Sequence, residues 1–321
     1  MGQLSIGAGG WDYFSVPSGD RLKAYSSAYN FVEVNSTYYR LPSPVAVSSW
    51  RQRVPPGFEF SVRCYKDLAE LHRLELTSKT VRLLDSMEKI CRRLRASVLT
   101  VLIPKELVRD EELSSKLSAF LSTISLGRTR IAVEFRGGEP TDDTLKTLQD
   151  NEAVQSVDIS RQYPKVESSI LYTRLFGQGK QNMYEFDDNE LQDIAAKASS
   201  PKFEKSILAF HGVRMYRDSA RLKTLLDSGK FPSLTEQVGL ESLSEVLGED
   251  ATFPTSKSRL LDEQGWKLFD MTAEERVRAR VLLERLPEKT YMTINEVLSS
   301  LRETISLAAS LGNCLSSKSN T

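Results

Sequence analysis

Histidine and cysteine are scarce in this chain, with two His and three Cys in 321 residues. Cys64, Cys91 and Cys314 are too few and too scattered for a disulfide frame or a thiolate zinc site. A reducing, cytoplasmic setting is therefore the expectation. No apolar run approaches the roughly 20 residues that span a bilayer, and the amino terminus lacks a basic-then-apolar leader pattern, so no membrane partner is expected. Neither sign of charge is in excess, since 43 basic and 43 acidic side chains cancel. Nothing global advertises a nucleic-acid partner, although a local basic groove stays open. The glycines at Gly7, Gly9 and Gly10 are not followed by Gly-Lys-Ser/Thr, and the dinucleotide spacing is missing. They read as a tight turn that allows close backbone approach.

What is present is alternation. Eight strand-like runs occur in order: Leu4–Ala8, Phe31–Ser36, Glu59–Tyr65, Ser97–Pro104, Arg130–Arg136, Ser156–Ile159, Leu171–Gly177 and Ile207–Gly212. Amphipathic stretches such as Thr77–Arg95, Asp110–Ser125, Asp142–Asn151, Asp187–Ala198 and Val213–Gly229 lie between or after them. Strand and helix in turn imply a parallel sheet with crossover helices. Eight such units in roughly 230 residues fit a closed (β/α)8 TIM barrel. After Ser233 the pattern changes. Thr235–Leu247, Ser256–Gln264, Thr272–Leu286 and Thr293–Leu311 read as helices with no strand between them. The expected organisation is a barrel over 1–233, an all-helical appendage over 234–311, and a Ser-rich tail over 312–321 without fixed structure.

The strand ends carry the anomaly. A buried parallel strand should be almost unbroken in its apolar character, yet Glu33 and Asn35 sit two apart at the end of the second. Side chains alternate faces along a strand. If the aliphatic face meets the outer helices, Glu33, Asn35, Arg63, Glu134, Arg136, Asp158, Arg174 and His211 turn into the barrel mouth, where barrels carry their chemistry. Glu33, Glu134, Asp158 and His211 suit acid–base or metal chemistry, with oxygen donors fit for magnesium or manganese. Arg63, Arg136 and Arg174 suit a phosphate or a carboxylate. Trp11, Tyr38 and Tyr39 fall in the first two loops of the same face and could stack a base or a sugar. The competing reading is a plug, in which three carboxylates and three arginines merely neutralise one another.

The same residues carry a resemblance. Ile6–Trp11, the run Val32–Pro42 (VEVNSTYYRLP), Trp50 with Pro55–Phe58, Phe60–Arg63, Ala132–Arg136 (AVEFR), Asp158 and Tyr172–Gly177 resemble the YecE-like family, domain of unknown function 72. The resemblance covers about residues 3 to 230 and implies a TIM barrel. It departs at two positions: many members carry Phe-Asn-Asn where this chain has Phe210, His211 and Gly212, and many carry His where Phe176 stands. The barrel implied is similar to those of endonuclease IV and xylose isomerase-like enzymes, which points to nucleic acid or sugars. The multi-zinc cluster of endonuclease IV is rich in His, so two histidines cannot carry it over.

Three functions follow as expectations. The first is a hydrolase on nucleic acid, a nuclease for single-stranded or damaged DNA. In it Arg63, Arg136 and Arg174 hold phosphate, Trp11 and Tyr38 stack a base, and Glu33, Glu134 and Asp158 activate water. The second is a sugar or phosphosugar isomerase or epimerase. The third is a non-catalytic module that binds nucleic acid or protein, with the C-terminal helices contacting a protein partner.

Overall fold

A computed structural model describes residues 2–316, with side chains described through residue 306. The chain divides into two compact units, Met1–Gln178 with Gln192–Lys223 and Gly179–Leu191 with Thr224–Thr321.

The first unit is the barrel. Its strands are β1 (Gln3–Ala8), β2 (Phe31–Val34), β3 (Glu59–Arg63), β4 (Val98–Ile103), β5 (Arg130–Phe135), β6 (Val154–Gln155), β7 (Ile170–Leu175) and β8 (Lys205–Phe210). All pair in parallel, in the order β6-β5-β4-β3-β2-β1-β8-β7. The ring is nearly closed: the chain just past β6 meets β7 at an isolated bridge between Val157 and Thr173, and Arg174 N donates to Val157 O at 3.2 Å. The sixth strand lies two residues earlier than expected. The physical reason is Asp158, whose carboxylate accepts from Ser160 N at 3.0 Å and turns the chain out of the sheet.

Local chemistry explains the flanking elements. The helix Ser78–Leu94 opens on a capping box between Thr77 and Thr80 and ends on Arg95 in the left-handed region, φ 54°. Leu84, Met87, Ile90, Cys91 and Leu94 form its buried stripe at helical spacing. β1 and β2 share only two register pairs. There, a Cβ on Gly7 would fall 1.9 Å from Phe31 O, so only glycine lets the strands approach. The buried Tyr25 hydroxyl stitches the same joint, donating to Phe31 O at 2.9 Å and accepting from Ala8 N at 2.7 Å.

Two apolar clusters fix which way each strand faces. The larger one joins strand residues such as Val32, Val34, Val62, Leu99, Val101 and Val133 to the helices. The smaller one fills the barrel interior with Phe31, Val98, Ala132, Val154, Tyr172, Ile207 and Ala209. Inward and outward faces alternate, so the next inward positions after the interior cluster are Glu33, Thr100, Glu134, Ser156, Arg174 and His211.

The second unit has its own core, built from Leu243, Val246, Leu247, Leu260, Phe269, Leu283, Tyr291, Val297 and Leu301 among others. Its main helices are Leu240–Gly248, Lys257–Gln264 and Ile294–Ser316. One expectation needs correcting: Thr272–Leu286 is not a continuous helix. β10 (Leu268–Asp270) and β11 (Arg276–Arg278) pair antiparallel, β9 (Thr255–Ser256) pairs with β12 (Thr290–Tyr291), and only Arg280–Leu283 in that stretch is helical. The buried Asp270 anchors the hairpin by accepting from Leu234 N at 2.7 Å and Thr235 N at 3.0 Å, with Arg276 Nε 3.3 Å away. Glu185, from the segment after β7, accepts from Leu268 N at 2.8 Å within this unit. The final helix is described to Ser316, and residues 317–321 of the expected tail lie outside the described residues.

Candidate active site at the barrel mouth

Glu33 is the centre of the mouth. It is fully buried and accepts from Tyr172 Oη at 2.5 Å, Arg174 Nε at 3.0 Å and Arg174 Nη2 at 3.1 Å. The last two make a bidentate guanidinium–carboxylate pair. Burial alone would raise the Glu33 pKa, but Arg174, His211 and Arg63 outweigh it and hold the carboxyl well below the usual range. Arg174 also donates through Nη1 to Glu134, and Arg136 Nε donates to the other Glu134 oxygen at 3.0 Å. Burial works to lower the Arg174 pKa, yet Glu134 and Glu33 carry it above its ordinary value. Glu134 is likewise pushed up by burial and pulled further down by Arg174 and Arg136, so it stays ionised.

Two groups are less well matched. Arg63 Nη1 donates to Asn35 Oδ1, and the guanidinium lies 3.9 Å over the Tyr38 ring, but its Nε has no hydrogen-bond partner and stands 4.0 Å from Glu33. Burial and the neighbouring Arg174 depress its pKa. His211 Nε2 lies 3.1 Å from Glu33 Oε1 without an aligned hydrogen bond. Burial, and next the Arg174 charge, lower the His211 pKa, so the ring is neutral at pH 7. It stacks on Phe176 at 4.9 Å between centroids, which brings the two positions that depart from the family resemblance face to face. The ring also occupies the space a side chain at residue 9 would need: a Cβ on Gly9 would sit 2.2 Å from Cε1 and 2.3 Å from Nδ1.

The geometry thus brings Glu33, Asn35, Arg63, Glu134, Arg136, Arg174 and His211 together. Asp158 is placed differently. Its oxygens accept from Ser160 N, Ser160 Oγ, Phe176 N at 2.9 Å and Gly177 N at 3.1 Å, which ties the loop after β6 to the end of β7. Trp11 packs edge-on against Trp50 at 5.4 Å and joins the core. Tyr38 is also committed, since its ring lies under Arg63 and its hydroxyl donates to Glu70. The exposed rings of these loops are Tyr13, 85% exposed, and Tyr39, 62% exposed.

Sequence reasoning passed over two mouth residues. Tyr172 occupies the inward face two residues before Arg174, where simple alternation finds it. Ser156 takes the inward position just past β6, and the early end of that strand hid it. Among the described residues, no three His, Cys, Asp or Glu side chains cluster so as to hold a metal ion. The donor chemistry agrees, because the oxygens of Glu33, Glu134 and Asp158 are engaged by guanidinium, phenol, hydroxyl and backbone N–H groups. The residues present do not fit a magnesium or manganese site.

What the arrangement can do follows from its charge. Arg63, Arg136 and Arg174 face Glu33 and Glu134, which leaves one guanidinium charge uncompensated beside a neutral imidazole. Arg136 remains 42% exposed at the rim, where an anion can reach it.

No helix among the described residues is long and apolar enough to cross a membrane. Comparison with curated proteins finds no match. Among solved structures, the chain is similar to a DUF72 family protein from Enterococcus faecalis V583, with 16% identity and a TM-score of 0.57, covering 71% of this chain and 98% of that one. A DUF72 family protein from Thermotoga maritima MSB8 is similar at 16% identity and a TM-score of 0.56, covering 70% of this chain and all of that one, 100%. At such identity these likenesses establish the barrel fold alone. The family described as "Protein of unknown function DUF72" matches residues 5–237, more than half of the chain. The chain belongs to the DUF72 family.

Proposed function

We propose that the barrel mouth binds a phosphodiester of nucleic acid and hydrolyses it. The observation that carries this reading is the uncompensated guanidinium charge beside a neutral, incompletely partnered His211. Arg63 and Arg136 hold the phosphate oxygens and neutralise charge developing in the transition state. The Glu33 carboxylate favours the His211 tautomer with its proton on Nε2, which leaves Nδ1 as the basic atom. Nδ1 takes a proton from the attacking water, whose oxygen forms the new bond to phosphorus. The ester P–O bond breaks, and its alkoxide takes a proton from solvent. Glu33 is too acidic and too fully hydrogen-bonded to act as the base, so in this reading it is a positioning residue. Tyr13 and Tyr39 offer exposed ring faces on which bases can stack.

The test is incubation of the protein with end-labelled single-stranded and nicked or abasic duplex oligonucleotides, in chelator and separately in magnesium or manganese. Cleavage by the native chain, reduced about 10²–10⁴-fold in His211→Ala and strongly reduced in Arg136→Ala, supports the reading. No cleavage under any of these conditions, or cleavage unchanged in both variants, overturns it.

A further inference from the structure

The loops that follow β2, β3, β4 and β5 stand side by side, in the order of their strands. Their charges are unevenly matched. Among the acids of residues 35–40, 64–70, 104–110 and 136–140, most are already engaged. Asp67 takes the Tyr65 hydroxyl and Glu70 that of Tyr38, while Asp110 pairs with Arg73 and Lys116, and Glu139 with Lys165. Glu106 is the exception among the described residues. The cations of the same stretches are the reverse. Arg136 has a carboxylate partner, Glu134, and stays 42% exposed. Arg40, Lys66, Lys105 and Arg109 form no ion pair among the described residues, and all but the half-buried Lys66 are exposed. With the acids neutralised internally and the cations not, this side of the rim carries a local positive field on a chain whose net charge is zero.

Two contacts set the line of these cations. Lys66 N donates to Tyr38 O at 3.0 Å, which ties the loop after β3 to the one after β2. The stem of Lys105 lies along the loop after β5, where a Cβ on Gly137, next in the chain to Arg136, would fall 3.1 Å from Lys105 Cδ. Neighbouring strands are about 4.8 Å apart, so an arc from Lys66 through Lys105 to Arg136 crosses at least roughly 10 Å. At about 3.4 Å per nucleotide, that length takes two or three successive phosphates. At the β2 end of the arc, Tyr39 is 62% exposed and meets the Tyr38 ring edge-on at 5.1 Å.

We propose that the substrate is a single strand of nucleic acid, whose successive phosphates lie along Lys66, Lys105 and Arg136 and one of whose bases stacks on Tyr39. The track deepens the phosphodiester reading and rests on it for the group that reaches Arg136. A duplex hides its base faces and stays stiff over about 150 base pairs. A single strand presents its bases to an aromatic ring and bends toward the recess where His211 is 9% exposed. A mononucleotide engages one cation of the arc and leaves the others unmet.

The experiment is fluorescence polarisation on the full chain carrying His211→Ala, which removes the proposed base and so prevents turnover. The probes are labelled oligothymidylates of about 4 and about 12 nucleotides, a hairpin duplex of similar length, and heparin as competitor, titrated between about 50 and 200 mM salt. The longer single strand should bind more tightly than the shorter one and than the duplex. Its affinity should fall with salt, and Lys66→Ala and Lys105→Ala should each reduce the slope of log affinity against log salt by about 0.7. Tyr39→Ala should weaken binding about 5- to 100-fold and leave that slope alone. Lys89→Ala, on the far side of the helix Ser78–Leu94 from any mouth loop in sequence, should leave both unchanged. Duplex bound as tightly as single strand, slopes unmoved in both lysine variants, or heparin displacing the strand from the native and Tyr39→Ala forms equally would overturn the track. If the track fails while cleavage by the native chain still depends on His211 and Arg136, the phosphodiester reading stands without it. If binding follows the track and no cleavage occurs, hydrolysis is the part that fails.

Discussion

Changing Glu33 to Gln keeps the side chain's size and removes one charge from the most enclosed point of the barrel. Arg174, itself 2% exposed, would then face Glu134 alone, with Arg63 and Arg136 still nearby. Breaking a buried ion pair from one side costs about 3–5 kcal/mol, because the remaining charge keeps its desolvation penalty and loses its partner. At a typical urea m-value of about 1–3 kcal/mol/M, a loss of ~4 kcal/mol lowers the midpoint by between about 1.3 and 4 M. The measurement is urea unfolding followed by tryptophan fluorescence in a Trp266→Phe background, so that only Trp11 and Trp50, both in the barrel unit, report. The double variant Glu33→Gln with Arg174→Met should cost clearly less than the two single changes added together, since it removes both charges. The same substitution should lower the His211 pKa further, because the carboxylate is the attractive partner of its charged form. Proton NMR of the imidazole checks this. A Glu33→Gln cost below about 1 kcal/mol, a threshold taken from what exposed pairs contribute, together with an unmoved imidazole titration, would refute the description of the mouth as a coupled, desolvated cluster.

Three further outcomes follow from the same coordinates. Gly9→Ala places a methyl 2.2 Å from the His211 ring, so it should cost about 1–3 kcal/mol by overpacking and disturb the Phe176–His211 stack; an unchanged melting temperature and His211 NMR shift would contradict this. Acid should destabilise the fold in two stages. The folded His211 pKa lies below its ordinary 6.5, so the unfolded chain binds the proton first and stability declines as pH falls through that window. Glu33 and Glu134 have depressed pKa values, so their contribution is complete above the ordinary carboxylate range and is lost as pH falls through their folded values. A melting temperature flat from about pH 7.5 to 5 would contradict the first stage, and one flat from about pH 4.5 down to 2 would contradict the second. Cys64 and Cys91 are buried, and burial pushes the Cys64 thiol up to about 12, so a thiol reagent should titrate at most one cysteine natively and all three in denaturant.

The barrel was legible in the sequence because its strands carry a period of two and its helices carry caps, both local signals. Thr77 and Arg95 bound the helix that the pattern announces, and the interior cluster recovers the phase assumed for β2, β5, β7 and β8. The misplaced sixth strand shows what local pattern cannot do. The run Ser156–Ile159 looks like a strand end because Val157 and Ile159 flank Asp158, yet the Asp158 oxygens serve backbone amides just past the end of β7, a contact nearly twenty residues away in the chain. The loop aromatics show the same limit of local pattern, since Tyr39 stays exposed while Trp11 and Tyr38 are engaged. Composition says that Trp11, Tyr38 and Tyr39 can stack, but only packing decides which rings are already taken by Trp50 or Arg63. In the second unit, the hairpin at Leu268–Arg278 depends on Asp270 capturing the amides of Leu234 and Thr235, which no helical or strand period encodes.

In the reading proposed above, the plug and the binding site are not alternatives, because paired and unpaired groups stand side by side at the mouth. Around Glu33, Tyr172 and Arg174 the hydrogen bonding is nearly complete, and Ser61 Oγ meets the Tyr172 hydroxyl at 2.9 Å beneath them. That layer behaves as a structural core, and its low dielectric sharpens every charge above it. The unmatched atoms stand beside it: Arg63 Nε, Thr100 Oγ1, His211 Nε2 and Ser156 Oγ, on four different strands or strand ends. A network selected only to neutralise itself has no reason to add a third arginine to two carboxylates, nor to lower a histidine's pKa by setting it beside Arg174. Both choices cost stability, and in the reading proposed above both become useful once an anionic solute completes the hydrogen bonding. The carboxylates are therefore better understood as the rigid mount for the arginines and the imidazole than as the reacting groups themselves. Glu33→Gln and His211→Ala separate the two roles: the first should cost mainly stability, the second mainly activity.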